Sequence, residues 1–483
     1  MRVEAAPEAP PWGAVPPVRD VGRGRALIRA ARARMPRATV VLDDDPTGSQ
    51  SVHDLQVVTS LEAPEYRSAM DDPAGGCFVL TNTRSLPRPE AVALTAGVAD
   101  DLFAIAGDRG TPLELVSRSD STLRGHVIAE VDALDAAHRR ALGTGYDAVL
   151  LAPAFLEAGR VTAGDVHWAR VGGQFLPAGE TEFARDKSFG YTASNLREFV
   201  AELSGGRIAA AGVGSIGLAD IREGGPEAVA RVLQDSGGGR FVVVNALDYA
   251  DLEIVVLGAL AAQERGMRLL YRTGPSFVRA LLGQQPRPPL TTEQIWPEGR
   301  PAGHGLVVVG SHVGQTGRQL AELARRGGAA EVELDVTDLL ARAAGGADDL
   351  VRRTGDRVAD LLSGSDVVLY TSRRLVAGDS AAASLEISRR VSAAVSAVVR
   401  GALPARPAWV LAKGGITSHD VAVHGLSIRR AEVAGQFFPG VVSLFRPVAA
   451  HPAILGRPYV VFAGNVGDDT ALADVVTRLR GEG

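Results

Sequence analysis

Three aspartates in a row, Asp43, Asp44 and Asp45, end an apolar run in VVLDDDPTGSQSVHD (40–54). Adjacent carboxylates repel one another, and a buried charge is costly unless it is paired or used. Cations are therefore expected opposite them. Two more apolar runs stop in polar clusters, Thr81-Asn82-Thr83-Arg84 and Arg118-Ser119-Asp120-Ser121. An arginine fork holds a carboxylate bidentately. An Asp accepts hydrogen bonds from hydroxyls and can take a hydroxyl proton. Together these residues suit a small polyol acid, with Arg84, Arg118 and Arg124 as the positive partners. Plainer uses stand beside this one. Asp120-Ser121 could cap the next helix, DDDPTG could be only a turn, and Arg84 could be a surface arginine.

Later in the chain the runs stop in small residues instead: Gly310-Ser311-His312, Lys413-Gly414-Gly415-Ile416-Thr417-Ser418 and Gly464-Asn465-Val466-Gly467. Small residues at helix N-termini let backbone N–H groups approach phosphate oxygens. Three such turns suggest a nucleoside triphosphate, although glycine also merely ends strands. There is no GxxxxGKS/T in the chain, and none of the three turns has the GxGxxG spacing. Metal ligands are not identifiable. Any metal would be Mg²⁺ carried by phosphates with one or two carboxylates. Asp468 and Asp469 are candidates, or else solvated helix-capping acids. Lys413 reads either as a charge for a transferring phosphoryl group or as a solvated lysine.

The elements that position these residues read as α/β. Candidate strands are ATVVLDD, LQVVTS, CFVLTNT, LELVSRSD, DAVLLAPAF, FVVVNAL, GLVVVGSH, EVELDV, DVVLYTSRR, AWVLAKGGITS and PYVVFAGNVGDD, with helices near 89–105 and 121–141. Alternation of this kind predicts mainly parallel sheets, and ligands bind outside the carboxyl ends of such strands. At 483 residues, two domains are expected. The reading is a disordered tail over 1–24, a first α/β domain over 25–285, a Pro/Gly-rich linker over 286–304 and a second α/β domain over 305–483, with a cleft between the domains. The section 160–285 gives mixed signals.

Composition limits the function classes. The net charge of -5 argues against a general nucleic-acid binder. The single cysteine, Cys77, excludes an intrachain disulfide and reads as a core residue. No stretch approaches a membrane span and the N-terminus has no secretory h-region, so a soluble, cytoplasmic protein is expected. Oligomeric state is open.

In order along the chain, DDDPTGS, TNTRS, SRSDSTLRGH, PAFLEAGRVT, GETEFARDKSFGY, GSHVGQT, YTSRR, AKGGITS and FAGNVGD resemble the four-carbon acid sugar kinases, which include D-threonate, D-erythronate and 3-oxo-tetronate kinases. The resemblance runs from about 38 to 475. It implies an N-terminal substrate domain, a C-terminal nucleotide domain, and ATP- and Mg²⁺-dependent phosphorylation of a hydroxyl, commonly the 4-hydroxyl. It implies substrate contacts at Asp44, Asp45, Arg84, Arg118, Ser119, Asp120 and Ser121, with Asp44 or Asp120 orienting or deprotonating the hydroxyl. It implies ATP contacts at Ser311, Gly414, Gly415, Ile416, Thr417, Gly464, Asn465 and Gly467. Many members carry an aromatic at the position of Pro46, an acid at that of Ile416, and PGN where this chain has AGN. A dinucleotide-dependent enzyme and a non-enzymatic sugar-acid binder are the alternatives. The spacing of the three turns argues against the first, and the presence of those turns against the second. The roles of His126 and of GETEFARDKSFGY are left open by the sequence.

Overall fold

A computed structural model describes residues 10–482 except 20, 46, 47, 73, 74, 374, 375, 377, 378, 439, 440 and 465. Asn465, expected at the nucleotide, lies outside the described residues. The chain divides into two compact units, 1–51 with 66–286, and 52–65 with 287–483.

Runs of Val, Leu, Ile and Ala form the first unit's strands because both faces of a parallel sheet are covered. After β1 (Ala38–Asp43) the chain leaves for the second unit over 52–65, carrying β2 (Gln56–Val58). It returns for β3 (Gly76–Leu80), β4 (Leu113–Arg118) and β5 (Ala148–Ala152). A separate antiparallel sheet follows, β6 (Arg160–Ala163), β7 (Val166–Val171) and β8 (Gln174–Pro177). The unit closes with β9 (Gly214–Ile216), β10 (Arg240–Val244) and β11 (Leu269–Thr273). The main sheet runs β3-β1-β4-β11-β5-β10-β9, and its pairings are parallel. From β1 the chain goes to β3 on one side and then to β4 on the other. That reversal is a topological switch point, the place where open α/β sheets bind ligands. The aspartates end that strand. The expected helices form as Arg88–Arg109 and Val127–Leu142. The second starts six residues later than expected, because 119–126 is spent on the site loop.

The second unit holds β12 (Leu306–Val309), β13 (Ala329–Leu334), β14 (Asp366–Thr371), β15 (Val410–Lys413), β16 (Arg430–Phe438), β17 (Val441–Ala449) and β18 (Tyr459–Phe462). Its order is β13-β14-β12-β15-β18-β17-β16-β2. The first five are parallel, and β17, β16 and β2 continue antiparallel.

Several segments differ from the sequence reading. The described part of the expected tail is packed. Trp12 lies edge-on to Trp168 (6.1 Å) and Phe175 (5.0 Å), and the Pro16 carbonyl accepts from Arg222. The helix Gly24–Arg34 begins inside the range assigned to the tail. Over 286–304, Leu290, Ile295 and Trp296 are buried in the second unit's core, and Thr291 and Gln294 form a capping box. Apolar anchors, which periodicity does not register in a Pro-rich run, fix both segments. A GxGxxG spacing does occur at Gly212–Gly217, but it contains β9 itself and so does not turn from a strand into a helix. Cys77 is buried on β3, and burial pushes its thiol up to about 12. No helix among the described residues is long and apolar enough to cross a membrane.

The second unit's core closes on the fully buried Trp409. A Cβ on Gly305 would fall 1.9 Å from its indole. Gly305→Ala is expected to destabilise the protein by about 1–3 kcal/mol through overpacking, read as a lowered urea midpoint. An unchanged midpoint would show that Trp409 can move aside.

Candidate functional site

Strand register builds the first site. Asp43 pairs with Arg118 across β1 and β4, and Arg118 with Thr273 across β4 and β11. The Arg118 Nη1 donates to Asp43 Oδ1 at 2.8 Å, with both side chains buried. Asp43 Oδ2 is buried without a hydrogen bond among the described residues. Burial outweighs the pull of Arg118 and pushes the Asp43 carboxyl up to about 7. The chain returns so closely that a Cβ on Gly48 would fall 1.8 Å from Asp43 Oδ2.

Arg84 ties the remaining acids together. Its Nη2 lies 3.4 Å from Asp44 Oδ1 and 2.5 Å from Asp45 Oδ2, and its Nη1 lies 3.6 Å from Asp120 Oδ2. Asn82 (φ 50) precedes it in the left-handed region, which Asn tolerates better than most residues. Burial would lower the guanidinium's proton affinity, but the four aspartates hold it above the ordinary value. Asp44 is 2% exposed. The Ser119 hydroxyl donates to its Oδ2 at 2.6 Å, and its Oδ1 is buried with no hydrogen bond among the described residues. Burial raises the Asp44 carboxyl. Arg84 opposes that rise and Glu130 adds to it.

Beneath Asp44 lies a group that the sequence did not reveal. Arg272 on β11 is fully buried. It donates to Ser117 Oγ (2.6 Å), Glu130 Oε2 (2.5 Å) and Ser119 Oγ (2.8 Å). Thr83 donates to the other Glu130 oxygen at 2.5 Å. The result is a buried chain of Thr83, Glu130, Arg272, Ser119 and Asp44. The available signal was a charge set among apolar residues, Arg272 in LLYRT and Glu130 in VIAEV. Gly125 (φ 126) lets the loop pass, since a Cβ there would lie 2.9 Å from Asp44 Oδ2 and 3.0 Å from Ser119 Oγ.

Asp120 closes its own turn and does not cap the helix. It accepts from the Thr122 amide (3.2 Å), the Thr122 hydroxyl and Arg124 Nε (2.6 Å), whereas the helix starts after His126. Burial alone would raise its carboxyl, but Arg84 and Arg124 bring it down to about 2. The Ser121 carbonyl accepts from His167 Nε2 at 2.8 Å, and His167 Nδ1 lies 3.0 Å from Thr162 Oγ1. Burial lowers the His167 imidazole to about 4. The GETEFARDKSFGY stretch fastens onto this loop. Tyr191 donates to the Thr122 carbonyl at 2.8 Å, Phe189 meets His126 edge-on at 4.9 Å, and Arg124 stands over Phe183. His126 Nε2 also lies 3.0 Å from the Leu86 carbonyl.

In the second unit the three turns meet. The Gly310 N–H donates to the Lys413 carbonyl and the Gly414 N–H to the Phe462 carbonyl. Thr316 Oγ1 donates to the Gly464 carbonyl at 2.9 Å and lies 3.1 Å from Ser311 Oγ. A Cβ on Gly310 would fall 2.3 Å from Thr417 Oγ1, and one on Gly464 2.7 Å from Ser311 Oγ. Gly414 (φ 118) joins β15 to a short helix from Gly415, and Gly467 (φ 81) leads toward the helix Ala471–Arg480. Ile416 is exposed. Ser311 leads into the helix Gly314–Arg326, which has no acid in its first turn and no side-chain cap. Its amides are therefore open to an anion. Arg373, which follows β14, donates to the Ser311 carbonyl at 2.6 Å, and no carboxylate pairs with it among the described residues. The sequence did not single it out.

Lys413 is neither solvated nor aimed outward. Its ammonium is buried, donates to the Ala463 (3.0 Å) and Gly464 (3.4 Å) carbonyls, and sits over the Phe462 ring; burial lowers it to about 7. Asp469 pairs with Arg318 and Asp468 accepts from Thr470. Among the described residues no three His, Cys, Asp or Glu side chains are grouped as a metal site.

A family model of a sugar-binding N-terminal domain matches residues 39–281, and one of a nucleotide-binding C-terminal domain matches 306–472. No curated protein matches the chain. A Salmonella typhimurium LT2 structure named as a candidate tRNA synthase is similar at 18% identity and TM-score 0.65, over 90% of this chain and 98% of that one. Haemophilus influenzae HI1011, assigned to a family of unknown function, DUF1537, is similar at 16% identity and TM-score 0.60, over 92% and 99%. Identities this low show a shared fold.

Removing one partner of a buried ion pair leaves an uncompensated charge, at a cost of about 3–5 kcal/mol. Arg272→Met is expected to destabilise the protein by that amount in urea unfolding, and Arg272→Met with Glu130→Leu to recover part of the loss. A single variant as stable as wild type would show that water reaches Glu130.

Proposed function

Since the chain belongs to the four-carbon acid sugar kinase family, we propose that it phosphorylates a hydroxyl, the 4-hydroxyl by resemblance, of a four-carbon sugar acid such as threonate, erythronate or 3-oxo-tetronate, using ATP. One observation carries the reading. A single chain holds a sugar-binding domain and a nucleotide-binding domain, and the first ends its switch-point strand in a buried carboxylate, Asp44, whose Oδ1 faces Arg84 at 3.4 Å and accepts no hydrogen bond among the described residues.

In this reading Asp44 takes the substrate's hydroxyl proton at Oδ1. Burial raises its proton affinity toward the working pH, which suits a general base. Ser119, held by Arg272, fixes its orientation. Asp120 is held ionised and is already occupied by Thr122 and Arg124. Its role is to orient a hydroxyl together with Asp45. Arg84 and Arg118 keep the aspartates from repelling one another, and Ser121 supports the loop through its carbonyl.

ATP, with Mg²⁺ on its phosphates, would supply the phosphoryl group. The residues present fit such a ligand, because the glycine turns have no room for side chains and the helix after Ser311 offers open amides. Ser311, Thr417 and the backbone of Gly414, Gly415, Ile416, Gly464 and Gly467 would hold the phosphates. Arg373 would offset their charge. Lys413 holds the last turn in shape from beneath.

A coupled ADP-release assay with Mg·ATP against D- and L-threonate, D- and L-erythronate and their oxo relatives tests this. Turnover with one acid is expected, and silence across the panel with no ATP binding would end the reading. Asp44→Asn should lower kcat by about 10²–10⁴-fold while ATP affinity stays near wild type; equal loss of both would remove the assigned role. A protonated Asp44 cannot act as a base. Activity should therefore fall as pH drops through its raised pKa, and the acid limb of kcat/KM should lie above about 3.9, the ordinary value for Asp. A limb at or below that value would exclude Asp44 as the base.

A further inference from the structure

The cations around the first site are nearly all spent inside the protein. Arg84 faces Asp44, Asp45 and Asp120. Arg118 faces Asp43, Arg272 faces Glu130, and Arg124 faces Asp120 and Asp186. At each of these guanidiniums a ligand carboxylate would have to compete with the protein's own acids. The ligand's own carboxylate therefore needs a different partner.

Arg160 is the exception. Among the described residues no carboxylate lies within 4.0 Å of its guanidinium, and its one side-chain hydrogen bond goes to the Ala158 carbonyl at 2.5 Å. Its Nε is buried and unpartnered, which leaves Nη2 as the uncommitted end. The backbone is fixed, because Arg160 and Phe155 exchange two hydrogen bonds, 3.0 and 2.9 Å, at the start of β6. The guanidinium stands 5.8 Å from the centre of the Phe183 ring, and that of Arg124 stands 5.5 Å from the same ring. Arg160 is thus placed next to the loop that carries Asp120. Asp120 and Arg124 are the charged groups whose fields reach it.

A partly desolvated cation without a counter-ion is unfavourable unless a ligand completes it. A sugar acid is polar along its length, with a carboxylate at one end and hydroxyls beyond. The aspartates suit the hydroxyls, and the unpaired guanidinium suits the carboxylate. We propose that Arg160, with Phe183 as its wall and Arg124 beside it, binds the substrate carboxylate and makes the site select acids over uncharged polyols. The inference rests on the sugar-acid reading above.

The test is calorimetric titration of the full chain, without nucleotide, using the four tetronates and the matching uncharged tetritols, threitol and erythritol. Wild type should bind at least one tetronate. Arg160→Met should weaken that acid by about 10- to 100-fold, the worth of a hydrogen bond to a charged group, and leave the weaker tetritol binding within about twofold. Arg160→Lys, which keeps the charge and most of the packing, should recover part of the acid affinity with a near-wild-type Tm. Tetronate binding unchanged in Arg160→Met would overturn the assignment of Arg160 and leave the kinase reading standing. Equal loss of acid and tetritol would show a structural role and overturn it too. Wild type that binds ATP but no tetronate would overturn both this inference and the choice of substrate class.

Discussion

A guanidinium buried in a sheet has five N–H donors and no water to satisfy them, and the first unit is arranged around that demand. Arg272 projects from the middle of a parallel sheet into the space behind its carboxyl edge. It uses Ser117 on the next strand, Glu130 on the following helix and Ser119 just past the strand end. Each of those acceptors is then fixed in place. Ser119, fixed in this way, has its proton left for Asp44. The orientation of Asp44 is therefore inherited from a residue that itself touches nothing exposed. Asp43 and Arg118 repeat the scheme one strand over, where the register sets an acid beside a base.

The second unit solves a different problem with different means. Its strand ends carry no carboxylate cluster. Gly310, Gly414 and Gly464 let three turns approach until a single Cβ would collide with Thr417 or Ser311. What charge there is lies under the turns. Lys413 is sealed in and donates to the Ala463 carbonyl and, together with Thr316, to the Gly464 carbonyl. One unit thus crowds its strand ends with charged and hydroxyl side chains, and the other removes side chains so that backbone amides lie open.

Much of this was legible in the sequence. β1, β5, β12 and β15 are mostly apolar runs; in the first unit the residues ending β1 and β4, Asp43 and Arg118, pair, and in the second the turns after β12, β15 and β18 meet. β11 was missed because Arg272 interrupts LLYRT, and a charge there breaks the apolar run that marks a buried strand. β16 and β17 were missed because RAEVAGQFF breaks its alternation at Gly435 (φ 147), where the pairing register shifts. The described part of the tail and the Pro-rich segment 286–304 are held by Trp12, Trp296 and Leu290, single anchors that no periodicity reports. Glu130 was invisible for a related reason. On a helix, a lone acid in an apolar face looks like a solvated position until its partner on a distant strand is known.

Proton affinity separates acids that sequence cannot tell apart. Asp43, Asp44 and Asp120 lie at the ends of adjacent strands and are chemically identical. Burial, with one oxygen of each lacking a hydrogen bond among the described residues, leaves Asp43 and Asp44 reluctant to ionise. Two arginines and a Thr122 turn hold Asp120 ionised. Where neighbouring carboxyls are driven apart in this way, the one with the raised proton affinity is the stronger base and the one held ionised the weaker. The loop that enforces the division carries Leu123 at φ 69, a backbone conformation costly for a bulky residue. That cost is borne where the Asp120 turn must close before the helix can begin, so the same few residues set both the helix start and the charge state of the site.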